Sequence, residues 1–286
     1  MTIAFTGAAG QLGSLVATAL LERTGAENLV ALARNPEKAS DLAAKGIEVR
    51  EFDYDRPETL VPALDGVDRL LLISGNAIGQ RVPQHRAVIE AATDAGVGFV
   101  AYTSFLHADT AEIIAVAPEH QETERLLADA PFTVALLRNG WYTENFEDLV
   151  KQAAASGVLL GSAGDGRIAS ASRKDYAEAA AAVLTADDAE GATYELSGDE
   201  PWTLSDLAAL ISDRTGGSVE SKNVSSEEHR QILLDAGVPA AAVDFLVSTD
   251  QAIAAGELDD QAPGELSRLI GRPTTPLLEV VSAWLN

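Results

Sequence analysis

The chain has no cysteine among its 286 residues. That absence removes structural disulfides, thiolate metal sites, iron–sulfur clusters and cysteine nucleophiles together, so any redox chemistry has to come from an external cofactor. Aromatic residues are few, at 5%, but 47% of residues are hydrophobic and 22% charged, which excludes disordered, collagen-like and disulfide-scaffold classes. Cationic residues are outnumbered by acidic ones: 20 Lys plus Arg stand against 44 Asp plus Glu, for a net charge of −24. Such a surface repels phosphate backbones and anionic headgroups, so neither a nucleic-acid nor a membrane partner is expected. No apolar run approaches the roughly 18 residues of a membrane span. The chain passes from Met1 straight into a short apolar stretch and a glycine turn. Without a basic segment ahead of an apolar one, no secretory leader is expected, and the expected location is cytoplasmic. His85 and His107 lack partners at metal-ligand spacing, so no metal is expected. His229, set among Ser and Glu, reads as a surface residue.

What is present is a rhythm. Short apolar runs at 2–5, 29–33, 47–52, 70–73, 99–102 and 133–137 read as six buried strands. Between the first two, Leu12, Val16, Ala19 and Leu20 recur at helical spacing, and 79–95 and 118–130 show the same stripe. Strand, helix, strand on this spacing implies right-handed crossovers, hence an α/β fold: a Rossmann-like, doubly wound parallel sheet. Beyond about residue 140 the pattern becomes mostly Ala-rich helices (142–155, 174–186, 203–214, 225–235, 239–253, 276–285), with short strands near 166–171 and 192–197. The expected organisation is a nucleotide-binding domain over 1–140, with later returns to the sheet allowed for, and a smaller helix-rich substrate lobe over 141–286.

The strongest motif joins the first strand to the first helix: Thr6-Gly7-Ala8-Ala9-Gly10-Gln11-Leu12-Gly13. Gly7 permits the tight turn, Gly10 lets backbone amides approach a pyrophosphate, and Gly13 lets the helix pack against the strand. The amides at the helix start then face the anion. Spacing of GxxGxxG rather than GxGxxG suggests the short-chain dehydrogenase superfamily. At the end of strand 2, about 20 residues past the last glycine, an acid would grip the ribose hydroxyls of NAD. Here stands Arg34, whose guanidinium suits the 2′-phosphate of NADP, so NADPH is the expected cofactor. Asp53, with Tyr54, ends strand 3 where such folds meet the adenine, although a carboxylate there also serves as a turn former. Ser74 and Gly75 end strand 4 on the route to the nicotinamide ribose.

An ordinary short-chain dehydrogenase places a Ser at the end of strand 5 and a Tyr-x-x-x-Lys pair on the next helix, the Lys lowering the Tyr pKa. This chain has Ser104, but the matching helical positions are His120 and Glu124. A Glu cannot supply the positive charge that a tyrosinate needs. Either catalysis has given way to cofactor sensing, or the substrate is electrophilic enough to react without that acid. After strand 6, Asn139, Gly140, Trp141 and Tyr142 suit a flat ring stacked beside nicotinamide; the plainer reading is a hydrophobic latch between the lobes.

Taken together, TGAAGQLG, ARNPEKA, LLLISG, GQRVPQHRAVIEAA, FVAYTSFLHADT, EHQETERLLAD, LLRNGWYTENF, GDGRIASASRKDYAEAAA and LSRLIGRPTTPLLE resemble the type 2 NAD(P)H:quinone oxidoreductases. These are NmrA-like, atypical short-chain dehydrogenase relatives that include triphenylmethane dye reductases. The resemblance spans nearly the whole chain, and its family lacks the Tyr/Lys pair. It implies NADPH-dependent reduction of quinones without flavin. It also implies a cofactor cleft lined by Gly7 to Gly13, Arg34, Ser74, Gly75 and the segment Asn139, Gly140, Trp141, Tyr142, Thr143 and Glu144, with Arg173 nearby. A quinone accepts hydride readily, so the protein mainly orients it and donates hydrogen bonds to the developing oxyanion. Candidate donors are Tyr142, Asn139 and His107, with Tyr102 and His120 behind them. The other readings are an NADP(H)-sensing regulator without turnover and a reductase of another conjugated electrophile such as a dye, nitroaromatic or enone. A monomer and a homodimer are both compatible with the sequence.

Overall fold

Strands and helices alternate along the first half of a computed structural model that describes every residue except 188, 190 and 286. In order they are β1 (Ile3–Phe5), α1 (Gln11–Leu21), β2 (Leu29–Ala33), α2 (Ser40–Ala44), β3 (Glu48–Glu51), α3 (Leu60–Ala63), β4 (Arg69–Leu72), α4 (Arg81–Asp94), β5 (Phe99–Phe105), α5 (Ala117–Ala128) and β6 (Thr133–Asn139). There follow α6 (Glu147–Ser156), β7 (Val158–Gly161), α7 (Arg173–Thr185), β8 (Thr193–Leu196), α8 (Leu204–Thr215), β9 (Glu220–Asn223), α9 (Ser226–Asp235), α10 (Ala240–Ala255), α11 (Glu265–Ile270) and α12 (Leu277–Leu285).

The main sheet has seven parallel strands in the order β3-β2-β1-β4-β5-β6-β8. Chain order reverses between β1 and β4, which opens a crevice at the carboxyl ends of those strands. Strand residues alternate between two cores, as period-2 geometry demands. Ile3, Phe5, Ala31, Leu71 and Ala101 face α1 and α7, whereas Ala4, Val30, Leu32, Leu70 and Tyr102 face α3, α4 and α5. Burying a leucine such as Leu71 contributes about 2 kcal/mol, so both faces hold the switch point rigid.

The chain recrosses the boundary expected near residue 140. Helix α7, placed by sequence in the smaller lobe, belongs instead to the first layer: Ala177, Ala180 and Ala181 pack in one core with Val16 and Leu20 of α1. Small side chains on that face allow the close approach. Strand β8 then extends the sheet beside β6. The strand expected at 166–171 is reduced to isolated bridges, Tyr142 to Ala171 and Ile168 to Trp202. The smaller lobe has its own core, with Leu159, Leu207, Ile211, Ala252 and Ile253 around a two-stranded parallel sheet of β7 and β9. His229 is buried, not superficial: its Nδ1 lies 3.1 Å from both the Asp250 carboxylate and the Ser162 hydroxyl. Among the described residues, no helix is long and apolar enough to cross a membrane.

Candidate cofactor cleft

The glycine turn is built as its spacing requires. Gly7 has φ of +61°, the left-handed region that glycine reaches without strain. The Ala8 N–H donates to the Leu32 carbonyl at 3.2 Å and the Gly10 N–H to the Gly7 carbonyl at 2.8 Å, tying the turn to β2 and to itself. Helix α1 opens at Gln11 without a side-chain cap, so its first-turn amides remain available. A Cβ on Gly13 would stand 2.2 Å from the Gly7 carbonyl oxygen, so no side chain fits there. In front of this turn lies a cavity of about 680 Å³, within the range of small-molecule sites.

Of the residues expected on sequence grounds, Gly7, Ala9, Gly10, Gln11, Leu12, Gly13, Arg34, Asp53, Ser74 and Gly75 line this cavity. Lys38, Tyr54, Asn76 and Gln84 join them. Lys38 returns to the cavity because Asn35 caps a short 3-10 turn: its side chain accepts from the Glu37 N–H at 3.0 Å, with Pro36 in the first turn. Arg34 and Lys38 are both exposed, and neither has an ion-pair partner among the described residues. The N-P-E-K spacing carried that signal, three residues being one turn of such a helix. Asp53 serves the turn as well: its carboxylate accepts from the Asp55 N–H at 3.1 Å. Burial pushes the Tyr54 phenol up to about 12, with an opposing hydrogen bond from Thr6, so it stays neutral.

Ala8, His107, Asn139, Gly140, Trp141, Tyr142 and Thr143, also expected at the site, are not among the residues that line this cavity. A Cβ on Gly140 would meet the Tyr176 hydroxyl at 3.0 Å and the Leu196 carbonyl at 3.1 Å, which explains the glycine by packing. Thr143 is buried against Ser170, its hydroxyl 2.9 Å away. Trp141 packs on the smaller lobe's core and stacks with Phe245 of α10, ring centroids 6.1 Å apart. Asn139 ends β6 in a buried position, its Nδ2 donating to the Tyr142 hydroxyl at 3.4 Å and its Oδ1 without a partner among the described residues. Tyr142 therefore keeps its own proton free to donate. Burial raises its pKa, partly offset by that bond from Asn139. Arg173 lies 4.8 Å over the Tyr142 ring, and its backbone N–H donates to the Glu144 carboxylate at 2.9 Å. With Gln11, these two line a second hollow beside the glycine turn. His107 follows β5 with φ of +53°, unusual for a residue with a side chain. Its N–H is held by Glu195 at 2.8 Å.

The positions where an ordinary short-chain dehydrogenase keeps its catalytic pair are closed off. His120 is buried, with Nδ1 2.8 Å from the Tyr102 hydroxyl. Burial, followed by the charge of Arg81 and then His85, holds His120 well below the usual histidine range. Ser104 donates to Glu124, and Glu124 takes two bonds from Arg138 of β6, at 3.0 and 2.8 Å.

A dinucleotide with a 2′-phosphate fits these residues: an uncapped helix start, a cradle that a Cβ at Gly13 would fill and two cations with no ion-pair partner among the described residues. A family model described as NAD(P)H-binding matches residues 7–187. Quinone oxidoreductase 2 of Escherichia coli is 49% identical over 284 residues, covering 99% of each chain. The chain belongs to the NmrA-like, NAD(P)H-binding family of quinone oxidoreductase 2. Among solved structures of the family, the NADPH-dependent quinone oxidoreductase of Escherichia coli complexed with NADPH matches with a TM-score of 0.96 over the full length of both chains. The triphenylmethane reductase of Citrobacter sp. complexed with NADP(H) is 40% identical, with a TM-score of 0.94 over 99% of this chain and 100% of that one. In this family member, the cation that a catalytic Lys would supply is replaced by Glu124, neutralised by a buried arginine from the neighbouring strand.

Proposed function

We propose that the protein reduces quinones with NADPH by direct hydride transfer, without a flavin. The observation that carries this reading is the single cavity that joins the α1 amides to two unpaired cations, in a chain with whole-length similarity to a quinone oxidoreductase. Gly7 to Gly13 would receive the pyrophosphate, Arg34 and Lys38 the 2′-phosphate, Asp53 and Tyr54 the adenine side, and Ser74 and Gly75 the ribose. Glu144 with Arg173 would close the edge beside Gln11. NADPH, when bound, supplies the hydride.

The chain's own part is orientation and protonation. Tyr142, whose oxygen accepts from Asn139, has its O–H to offer to the oxyanion of a reduced quinone. His107, one-third exposed and held by Glu195, is the second donor in reach of solvent. With no cysteine in the chain, no thiol is available as a redox relay between cofactor and acceptor. The likeness to a triphenylmethane reductase favours dyes as second acceptors. A cytoplasmic location accords with use of a diffusible cofactor. Following NADPH absorbance with simple benzoquinones and with a triphenylmethane dye tests both acceptors: turnover above the uncatalysed rate supports the reading, and tight NADPH binding without turnover overturns it in favour of a sensor.

A further inference from the structure

We propose that His85 is a positioning residue for the NADPH site, clamping the backbone of Gly75 so that the cavity-lining segment 74–77 is held ready for the cofactor; this rests on the function proposed above.

At Leu72 the strand β4 ends, and the chain peels away from its neighbours while still lining the cavity. Backbone amides that leave a ladder need other acceptors. Three side chains, from the turn after β1, from β5 and from α4, supply them in succession. Ile73 N–H donates to Thr6 Oγ1 at 2.9 Å, Ser74 N–H to Thr103 Oγ1 at 2.8 Å, and Gly75 N–H to His85 Nε2 at 3.1 Å. The Gly75 carbonyl is also taken, accepting from Arg81 Nε at 2.7 Å. Arg81 in turn pairs with Glu119 at 3.3 Å, and the other oxygen of Glu119 accepts from the Gly79 N–H at 2.9 Å. The segment between 75 and 79 is thus pinned at both ends by buried or nearly buried groups of α4 and α5.

The hydrogen-bond chain also determines the tautomer of His85. Thr123 has one hydroxyl proton, and it is donated to the Glu119 carbonyl at 2.8 Å. Its oxygen can then only accept from His85 Nδ1, 3.1 Å away. Nδ1 therefore carries the hydrogen, and Nε2 presents a bare lone pair to the Gly75 amide. The ring is fully buried and fixed edge-on between Tyr54 and Tyr102, at 6.5 and 5.5 Å. Burial, with the charge of Arg81 second, pushes its pKa down to about 3. Because both polar groups of Gly75 are consumed within the protein, its contribution to the cofactor site is placement of its neighbours. A Cβ added there meets nothing closer than 3.6 Å, so the peptide, not the missing side chain, is what matters.

The test uses the full chain and three readouts: NADPH affinity by calorimetry, kcat and KM with benzoquinone, and hydrogen exchange of the Gly75 amide with the ¹⁵N shifts of His85. His85→Leu removes the acceptor and should weaken NADPH binding about tenfold, with faster Gly75 exchange and kcat changed less than about threefold. His85→Gln restores an acceptor at the ε position and should return affinity to within about threefold of wild type. Thr123→Val, nearly isosteric, should weaken NADPH about threefold by releasing the tautomer. An Nε2–H tautomer in the wild type overturns the proposal even if His85→Leu fails to fold. So does His85→Leu with wild-type NADPH affinity and wild-type Gly75 exchange. A wild type that binds no NADPH would instead overturn the proposed function itself.

Discussion

The Tyr102 hydroxyl and His120 Nδ1 lie 2.8 Å apart in a buried position between β5 and α5. A tyrosine and a histidine so placed resemble an acid–base pair, but both are held in their neutral forms, chiefly by burial, which predicts a structural role for the pair. Tyr102→Phe leaves the imidazole without its partner and should cost about 1–2 kcal/mol, a fall in Tm of about 2–8 °C. Turnover of NADPH should stay within about twofold of wild type, since a pair that serves packing alone adds little to differential transition-state binding. A collapse in kcat with normal Tm would show that the pair is catalytic.

Arg34 and Lys38 should set the preference for NADPH over NADH. Loss of one charge-assisted contact to a phosphate amounts to about 1.5–3 kcal/mol. Arg34→Ala and Lys38→Ala should each weaken NADPH tenfold or more, in rough terms, while leaving NADH binding almost unchanged. Calorimetric titration of both cofactors gives the ratio; an unaltered ratio in Arg34→Ala removes that residue from the role.

Two glycines of the cavity should respond in opposite ways. Gly13→Ala forces a methyl to 2.2 Å from the Gly7 carbonyl, and relieving that clash has to move the turn, at a cost of about 1–3 kcal/mol or more. NADPH binding should fall at least about tenfold. Gly75→Ala meets only ordinary contacts, and affinity should hold within about twofold. Equal losses in the two variants would contradict this account of the turn.

Acid should weaken the fold through its buried histidines. In the folded protein His85 is pushed down to about 3 and His120 well below its ordinary value, whereas in the unfolded chain both titrate near 6.5. The unfolded state therefore binds more protons below that value, so stability is complete above about pH 6.5 and declines as pH falls toward 3. Each histidine contributes a slope of up to about 1.4 kcal/mol per pH unit. Urea unfolding at pH 7.5, 6 and 5 should show this limb, and His85→Gln should flatten it by one proton. A midpoint unchanged between pH 7.5 and 5 would contradict the burial of both imidazoles as neutral groups.

Legibility in the sequence follows the range of the interactions. The glycine turn was readable because Gly7, Gly10 and Gly13 act within one strand-to-helix junction, and Arg34 because its distance from that turn is a property of the crossover. Local patterning also placed the six strands of the first half. Strand β9, Glu-Ser-Lys-Asn, offers no apolar signal, because it borders a two-stranded sheet with a mostly exposed edge. Helix α7 is Ala-rich like its neighbours in sequence, and only its packing on α1 shows which layer it joins. Asn76, Gln84 and Lys38 reach the cavity from a loop after β4, from α4 and from the 3-10 turn after β2, which meet only at the switch point. His229 looked superficial because its neighbours are polar, but Asp250 and Ser162, distant in sequence, satisfy it internally.

The most direct test of the central claim is to follow NADPH oxidation by 1,4-benzoquinone with the purified, flavin-free chain, using NADPH deuterated at each face of C4 in turn. Direct transfer from a cofactor held in one orientation predicts one NADPH consumed per quinone reduced and deuterium lost from one face only, with a slowed chemical step for that isotopomer alone. Tight NADPH binding without oxidation above the background rate, or loss of label from both faces, would contradict it.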